Sequence, residues 1–315
     1  MMDWTDTHCR TFHRMLSRHA LLYTEMVTAP ALVLGGASHL LRFDASQHPV
    51  ALQLGGSDPG QLAQAARMGA EAGYDEINLN VGCPSDRVQS GEIGAILMTR
   101  PERVAECVSE MCAAQGREVT VKCRIGVDEQ VPERVLPDFI SRVSQAGARR
   151  VIVHARKAWL KGLSPKENRD VPPLDHALVH RMAVAFPEVH LSINGGIGSL
   201  DDVEAHLEHM DGVMVGRAAY HTPADILLDA DARIFGDPSS RPDRAEIVRL
   251  MMPYIEAHLS TGGKLSQVTR HMLGLFAGMP GARRWRRILS EGAHRPGAGC
   301  ELLEDALGAV LDRAA

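Results

Sequence analysis

Asp75-Glu76-Ile77-Asn78-Leu79-Asn80-Val81-Gly82-Cys83-Pro84-Ser85 reads as a β-strand that ends in a polar residue and runs straight into a cysteine held between glycine and proline. Gly82 permits close backbone approach, and Pro84 biases the residue before it toward an extended conformation, so the Cys83 sulfur is aimed into a site. The competing reading is a buried structural cysteine at a strand end. The choice between them rests on whether the rest of the chain repeats a strand followed by a polar end.

It does. Aliphatic or β-branched runs recur at 22–27, 50–54, 75–80, 118–123, 150–154, 189–194 and 212–216, and amphipathic helical patterns separate most of them. The segment 58–72 is typical of the helices, with Asp58 as N-cap, Pro59 in the first turn, and Leu62, Ala65, Ala66 and Gly69 on one face. Strands that close on Gly, Asn, His or Cys predict an α/β fold, a parallel (β/α)8 TIM barrel with its site at the carboxyl ends. A doubly wound sheet is the main competitor, but no GxGxxG follows an early strand.

A closed barrel needs eight strands. Seven are legible, and a helix at 5–18 precedes them, so the first strand is expected to be missing and the recorded start to be internal. No strand signal remains beyond Pro242. Helical patterns at 244–260, 265–274, 282–290 and 302–314 predict a small bundle joined through a polar linker at 236–242, which divides the chain into a barrel domain at 1–235 and a helical domain at 242–315. Within the bundle, Arg283, Arg284, Arg286 and Arg287 surround Trp285. Such a cluster can clamp phosphates and stack on bases, or it can be a solvated helix face with the tryptophan in the core.

The chain has 315 residues, 45% of them hydrophobic, and a formal charge of −5, so basic character must be sought in local clusters. Six cysteines form no CxxC pair and no metal-ligand spacing, so no metal is expected. With no signal peptide and no long apolar run, the expectation is a monomeric cytoplasmic protein with free thiols and no membrane segment.

The other strand ends carry charge and glycine. Val121-Lys122-Cys123-Arg124 sets two cations on one side of a strand end, suited to an anionic ring or phosphate; a Schiff-base lysine is the aldolase alternative. Val153-His154-Ala155-Arg156 closes the next strand. Asn194-Gly195-Gly196 and Gly216-Arg217 follow the last two, where β/α barrels build phosphate sites from exposed backbone amides.

Together, the Glu76 to Pro84 stretch, the Lys122 strand, His154-Ala155-Arg156, Asn194-Gly195-Gly196 and Gly216-Arg217 resemble the tRNA-dihydrouridine synthases. Asp3-Trp4-Thr5-Asp6, Arg156-Lys157-Ala158-Trp159-Leu160, Leu163-Ser164-Pro165-Lys166-Glu167-Asn168-Arg169 and Thr269-Arg270-His271-Met272 resemble the A subfamily of that family, and the match runs along nearly the whole chain. The resemblance implies FMN as cofactor, NADPH as reductant and a D-loop uridine of tRNA, at positions 20 and 20a, as substrate. It implies flavin contacts from Gln53, Asn80, Lys122 and His154, and a phosphate site at Asn194, Gly195, Gly196, Gly216 and Arg217. Cys83 would be the proton donor, and Asn80, Lys166, Arg169, Arg283 and Arg286 would touch tRNA. The family's first strand, with its Ala-Pro-Met end, has no counterpart here, and Cys123 stands where threonine is frequent. An FMN-dependent reductase of a free pyrimidine, similar to dihydroorotate dehydrogenases, is the alternative that shares the flavin site but needs no basic tail.

Overall fold

The computed structural model describes residues 1–85, 91–239 and 242–311. Seven strands, β1 (Leu22–Thr28), β2 (Val50–Gly55), β3 (Glu76–Val81), β4 (Glu118–Arg124), β5 (Arg150–His154), β6 (His190–Asn194) and β7 (Gly212–Met214), pair in chain order. Every pairing is parallel. Helices at Pro59–Glu71, Pro101–Ala114, Pro132–Gln145, His176–Ala185 and Leu200–Leu207 lie between the strands. This is the order of a (β/α)8 barrel, with seven strands and no ladder joining β7 to β1 among the described residues.

Local chemistry explains the boundaries. Asp58 accepts a hydrogen bond from the Gln61 amide and Pro59 opens the following helix, as the sequence predicts. The first helix runs Thr7–Leu16, shorter than the expected 5–18, because Asp6 caps it through the Cys9 amide and Ser17 is already extended. The last strand covers only Gly212–Met214, because Gly216 leaves the extended region at φ −110° and ψ −96°.

Alternation along the strands separates two faces. Ile77, Leu79 and Val81 of β3 and Val119, Val121 and Cys123 of β4 join the apolar core beneath the helices. Their neighbours Asn78 and Thr120 hydrogen-bond across the sheet on the other face, so the barrel interior is polar.

A second apolar cluster is built around Trp285, which is fully buried, lies 4.9 Å from Phe276 in an edge-to-face pair, and donates its indole N–H to the Met272 carbonyl. Helices Arg244–Ser260, Leu265–Thr269, Ala282–Gly292 and Glu301–Leu311 contribute to it, together with Phe12 and Leu16 of the first helix and Ile226 and Leu227 beyond β7. The helix expected at 265–274 stops at Thr269. Beyond it the backbone continues in tight turns that bury Met272, Leu275 and Phe276, while Gly274 lies against the His221 carbonyl, where a Cβ would have no room. Of the expected linker and last helix, residues 240, 241 and 312–314 lie outside the described residues. No described helix is long and apolar enough to cross a membrane.

Candidate active site and nucleic-acid interface

The strand register fixes the site. Asn80 of β3 lies beside Lys122 of β4, His154 of β5 beside Asn194 of β6, and Asn194 beside Met214 of β7. Five strand ends thus converge on one rim.

A polar ladder rises to that rim from below. The Glu76 carboxylate accepts from the Tyr23 hydroxyl (2.6 Å), the Thr120 hydroxyl (2.6 Å) and Arg150 Nη1 (2.9 Å). Asn78 donates to Thr120 Oγ1 (2.8 Å) and accepts from Gln53 Nε2 (2.9 Å), and Gln53 Oε1 accepts from Asn80 Nδ2 (2.9 Å). Asn80 Oδ1 then accepts from the backbone amides of Gly82 (3.1 Å) and Cys83 (3.0 Å). Gly82 is required by close approach: a Cβ there would sit 3.3 Å from the Cys123 carbonyl carbon. The Cys83 carbonyl accepts from the Ala95 amide, and the residue, just beyond the end of β3, is partly exposed.

Positive charge gathers around it. Lys122 Nζ donates to Asn194 Oδ1 at 3.0 Å, and burial, followed by the neighbouring Arg124 charge, pulls the ammonium down to about 8. Burial also drives His154 well below its ordinary value, helped by Arg124, Lys122 and Arg156, so its imidazole is neutral. Of the cations Lys122, Arg124, Arg156, Arg169 and Arg217, only Arg217 forms an ion pair among the described residues, with Asp170 at 2.8 Å. His154 Nε2, Arg156 Nε and Arg169 Nε are buried without a hydrogen-bond partner among the described residues.

The expected phosphate residues occupy this rim with commitments of their own. Asn194 spends both ends of its amide inside the protein, on Lys122 and on the Met214 carbonyl (2.7 Å). Gly195 and Gly196 take φ of +109° and +78°, and a Cβ on Gly195 would meet the His154 ring at 3.0 Å. The Gly195 carbonyl faces His176 Nε2 at 2.8 Å. Gly216 caps the short helix Arg217–His221.

Two exposed basic segments were expected to meet tRNA. The loop carrying Lys166 and Arg169 is organised by Asn168, which sequence reasoning did not single out for a role. Asn168 is fully buried; its Nδ2 donates to the Trp159 (2.9 Å) and Leu163 (3.1 Å) carbonyls, and its Oδ1 accepts from the Trp159 amide (2.7 Å). Lys166 is exposed and Arg169 half-buried. On the tail, Arg283, Arg284, Arg286 and Arg287 are all exposed around the buried Trp285, the arrangement of a solvated helix face with the tryptophan in the core.

A family model described as dihydrouridine synthase matches residues 1–311. A tRNA-dihydrouridine(20/20a) synthase of Escherichia coli strain K12 is 56% identical over 314 residues, covering 99% of this chain and 90% of that protein. Proteins of the same name from Xanthomonas campestris and Vibrio parahaemolyticus are 55% and 52% identical, and the aligned regions cover 93% and 95% of their own lengths. With such identity sustained from one end of the alignment to the other, the chain belongs to the dihydrouridine synthase family.

Proposed function

We propose that the chain reduces the C5=C6 bond of a tRNA uridine to 5,6-dihydrouridine, at the D-loop positions 20 and 20a that its relatives' names carry. The observation that carries this reading is a cysteine beside a barrel mouth where Lys122, Arg124, Arg156 and Arg169 have no ion-pair partner, and His154 Nε2, Arg156 Nε and Arg169 Nε no hydrogen-bond partner, among the described residues.

An electron-rich, phosphorylated ring suits that mouth. FMN held there, with NADPH as its reductant, would be the source of the hydride that adds to C6 of uracil. Lys122 and the His154 ring would lie against the flavin, and the orphan His154 Nε2 would gain a partner. Gly195, Gly196, Gly216 and Arg217 would hold the phosphate, with Asn194 keeping Lys122 in place. Gln53 and Asn80 would border the ring and the target base.

Charge left on the pyrimidine after hydride addition must be quenched by a proton at C5, and Cys83 would donate it. A positioned thiol S–H can serve as such a general acid. The uridine must leave its stack to reach the mouth, at a cost of a few kcal/mol. Phosphate contacts from Lys166, Arg169, Arg283 and Arg286 would offset that cost, with residues 242–315 acting as the tRNA-binding unit.

The test is NADPH oxidation by the FMN-loaded protein with unmodified tRNA or free uridine, followed by mapping of dihydrouridine. Turnover confined to tRNA supports the proposal; turnover of free uridine alone would replace it with the free-pyrimidine reading.

A further inference from the structure

Arg124 closes β4 and is only 3% exposed, yet no carboxylate pairs with it among the described residues. Its position two residues beyond Lys122 suggested a cation offered to a bound ring. The geometry gives it other work, because its guanidinium is spread over three backbone carbonyls. Nε donates to Gly82 O at 3.1 Å, and Nη1 donates to Asn168 O at 2.9 Å and Lys157 O at 3.4 Å.

Those carbonyls belong to two different loops. The Gly82–Cys83 peptide is gripped at both polar atoms, its oxygen by Arg124 and its N–H by Asn80 Oδ1. The orientation of the peptide that leads into the thiol is therefore set by two side chains. The other loop is the one that Asn168 zips, with Lys166 and Arg169 on either side of Asn168. A planar guanidinium can span both loops, whereas a lysine ammonium is a point donor on a flexible stem.

We propose that Arg124 is a positioning residue that couples the RNA-facing loop 157–170 to the Gly82–Cys83 peptide, so that phosphate contact at Lys166 and Arg169 sets the thiol for proton donation. The coupling between loops stands on the contacts above; its RNA arm rests on the proposed tRNA reading.

The experiment uses the full-length protein without RNA. Alkylation of Cys83 by iodoacetamide is followed by peptide mass spectrometry against the partly exposed Cys300 as internal reference, in wild type, Arg124→Lys, Asn168→Ala and the double variant. No hydrogen bond joins Asn168 to Gly82 among the described residues, yet Asn168→Ala should change the Cys83 rate by roughly threefold or more, and the double variant should change it no further than the larger single effect. An unchanged Cys83 rate in Asn168→Ala, or effects that multiply in the double variant, overturns the coupling. Should Arg124→Lys fail to fold, Arg124→Gln replaces it, and Asn168→Ala alone still decides. With tRNA and NADPH, Arg124→Lys should lower kcat by about ten- to a hundredfold while the KM for tRNA stays within about threefold, the signature of a misplaced acid. A wild-type protein that forms no dihydrouridine would refute the tRNA reading and leave the alkylation result standing.

Discussion

At the amino end of the barrel the Glu76 carboxylate accepts from Tyr23, Thr120 and Arg150, whereas at the carboxyl end Lys122, Arg124, Arg156 and Arg169 have no ion-pair partner among the described residues. The lower end does hold one orphan nitrogen, Arg150 Nε, but that guanidinium already meets both Glu76 and Glu118. The upper end holds three orphans around a pooled positive charge. Burying charge without an opposite charge is costly, so the lower end is satisfied for folding while the upper end keeps its capacity for a ligand.

The largest break in this contrast should come from Cys83→Ala. Loss of a positioned general acid is expected to lower dihydrouridine formation by about 10²- to 10⁴-fold, measured by mass spectrometry of the tRNA, with flavin reduction by NADPH retained. Full uridine turnover would remove Cys83 from the chemistry.

Opposite signs in stability come next. Glu76→Ala leaves Arg150 with Glu118 alone, takes the shared acceptor from Tyr23 and Thr120, and should cost about 3 kcal/mol in denaturant unfolding. Lys122→Met removes a buried cation that has no ion-pair partner among the described residues, and should leave stability equal or higher while activity falls. If both variants destabilise alike, the two ends do not differ as described.

The pH dependence sharpens the same point. Lys122 is held at about 8, against 10.5 in the unfolded chain, so the folded protein loses that proton first. Between those values the unfolded state binds more protons, and this lysine's contribution to stability rises with pH. Activity that needs the cation should instead fall as pH passes about 8, and Lys122→Met should abolish that limb of the profile. A profile unchanged in the variant would assign the limb to another group.

The smallest effect concerns the tail. Arg283→Ala with Arg286→Ala should reduce the salt slope of tRNA binding by about one to two and leave FMN binding untouched. An unchanged slope would exclude these side chains as phosphate contacts.

Much of this is legible in the sequence. Lys122 and His154 sit in the last residues of β4 and β5 and Cys83 just beyond β3, so a period of two and the polar character of the strand ends were enough to expect them near one rim. The ladder of Gln53, Asn78 and Thr120 was not foreseen. Buried parallel strands usually read as apolar on both faces, and the value of a polar residue there depends on its partner one strand away. Asn168 and the real partners of Arg124 were hidden for a related reason, since their contacts are backbone carbonyls brought close only by loop closure. The tail arginines showed the limit of local pattern in another way: the segment that reads as an RNA clamp is also a core helix, because Trp285 points inward and the arginines outward.

The most direct test of the contrast between the two ends is the thermal midpoint with and without FMN in wild type, Lys122→Met and Glu76→Ala. A ligand at about a hundred times its Kd stabilises by about 2.7 kcal/mol. The account predicts a clear rise in wild type, a similar rise in Glu76→Ala from a lower starting point, and a much smaller rise in Lys122→Met. No rise in wild type, or equal rises in all three, would contradict it.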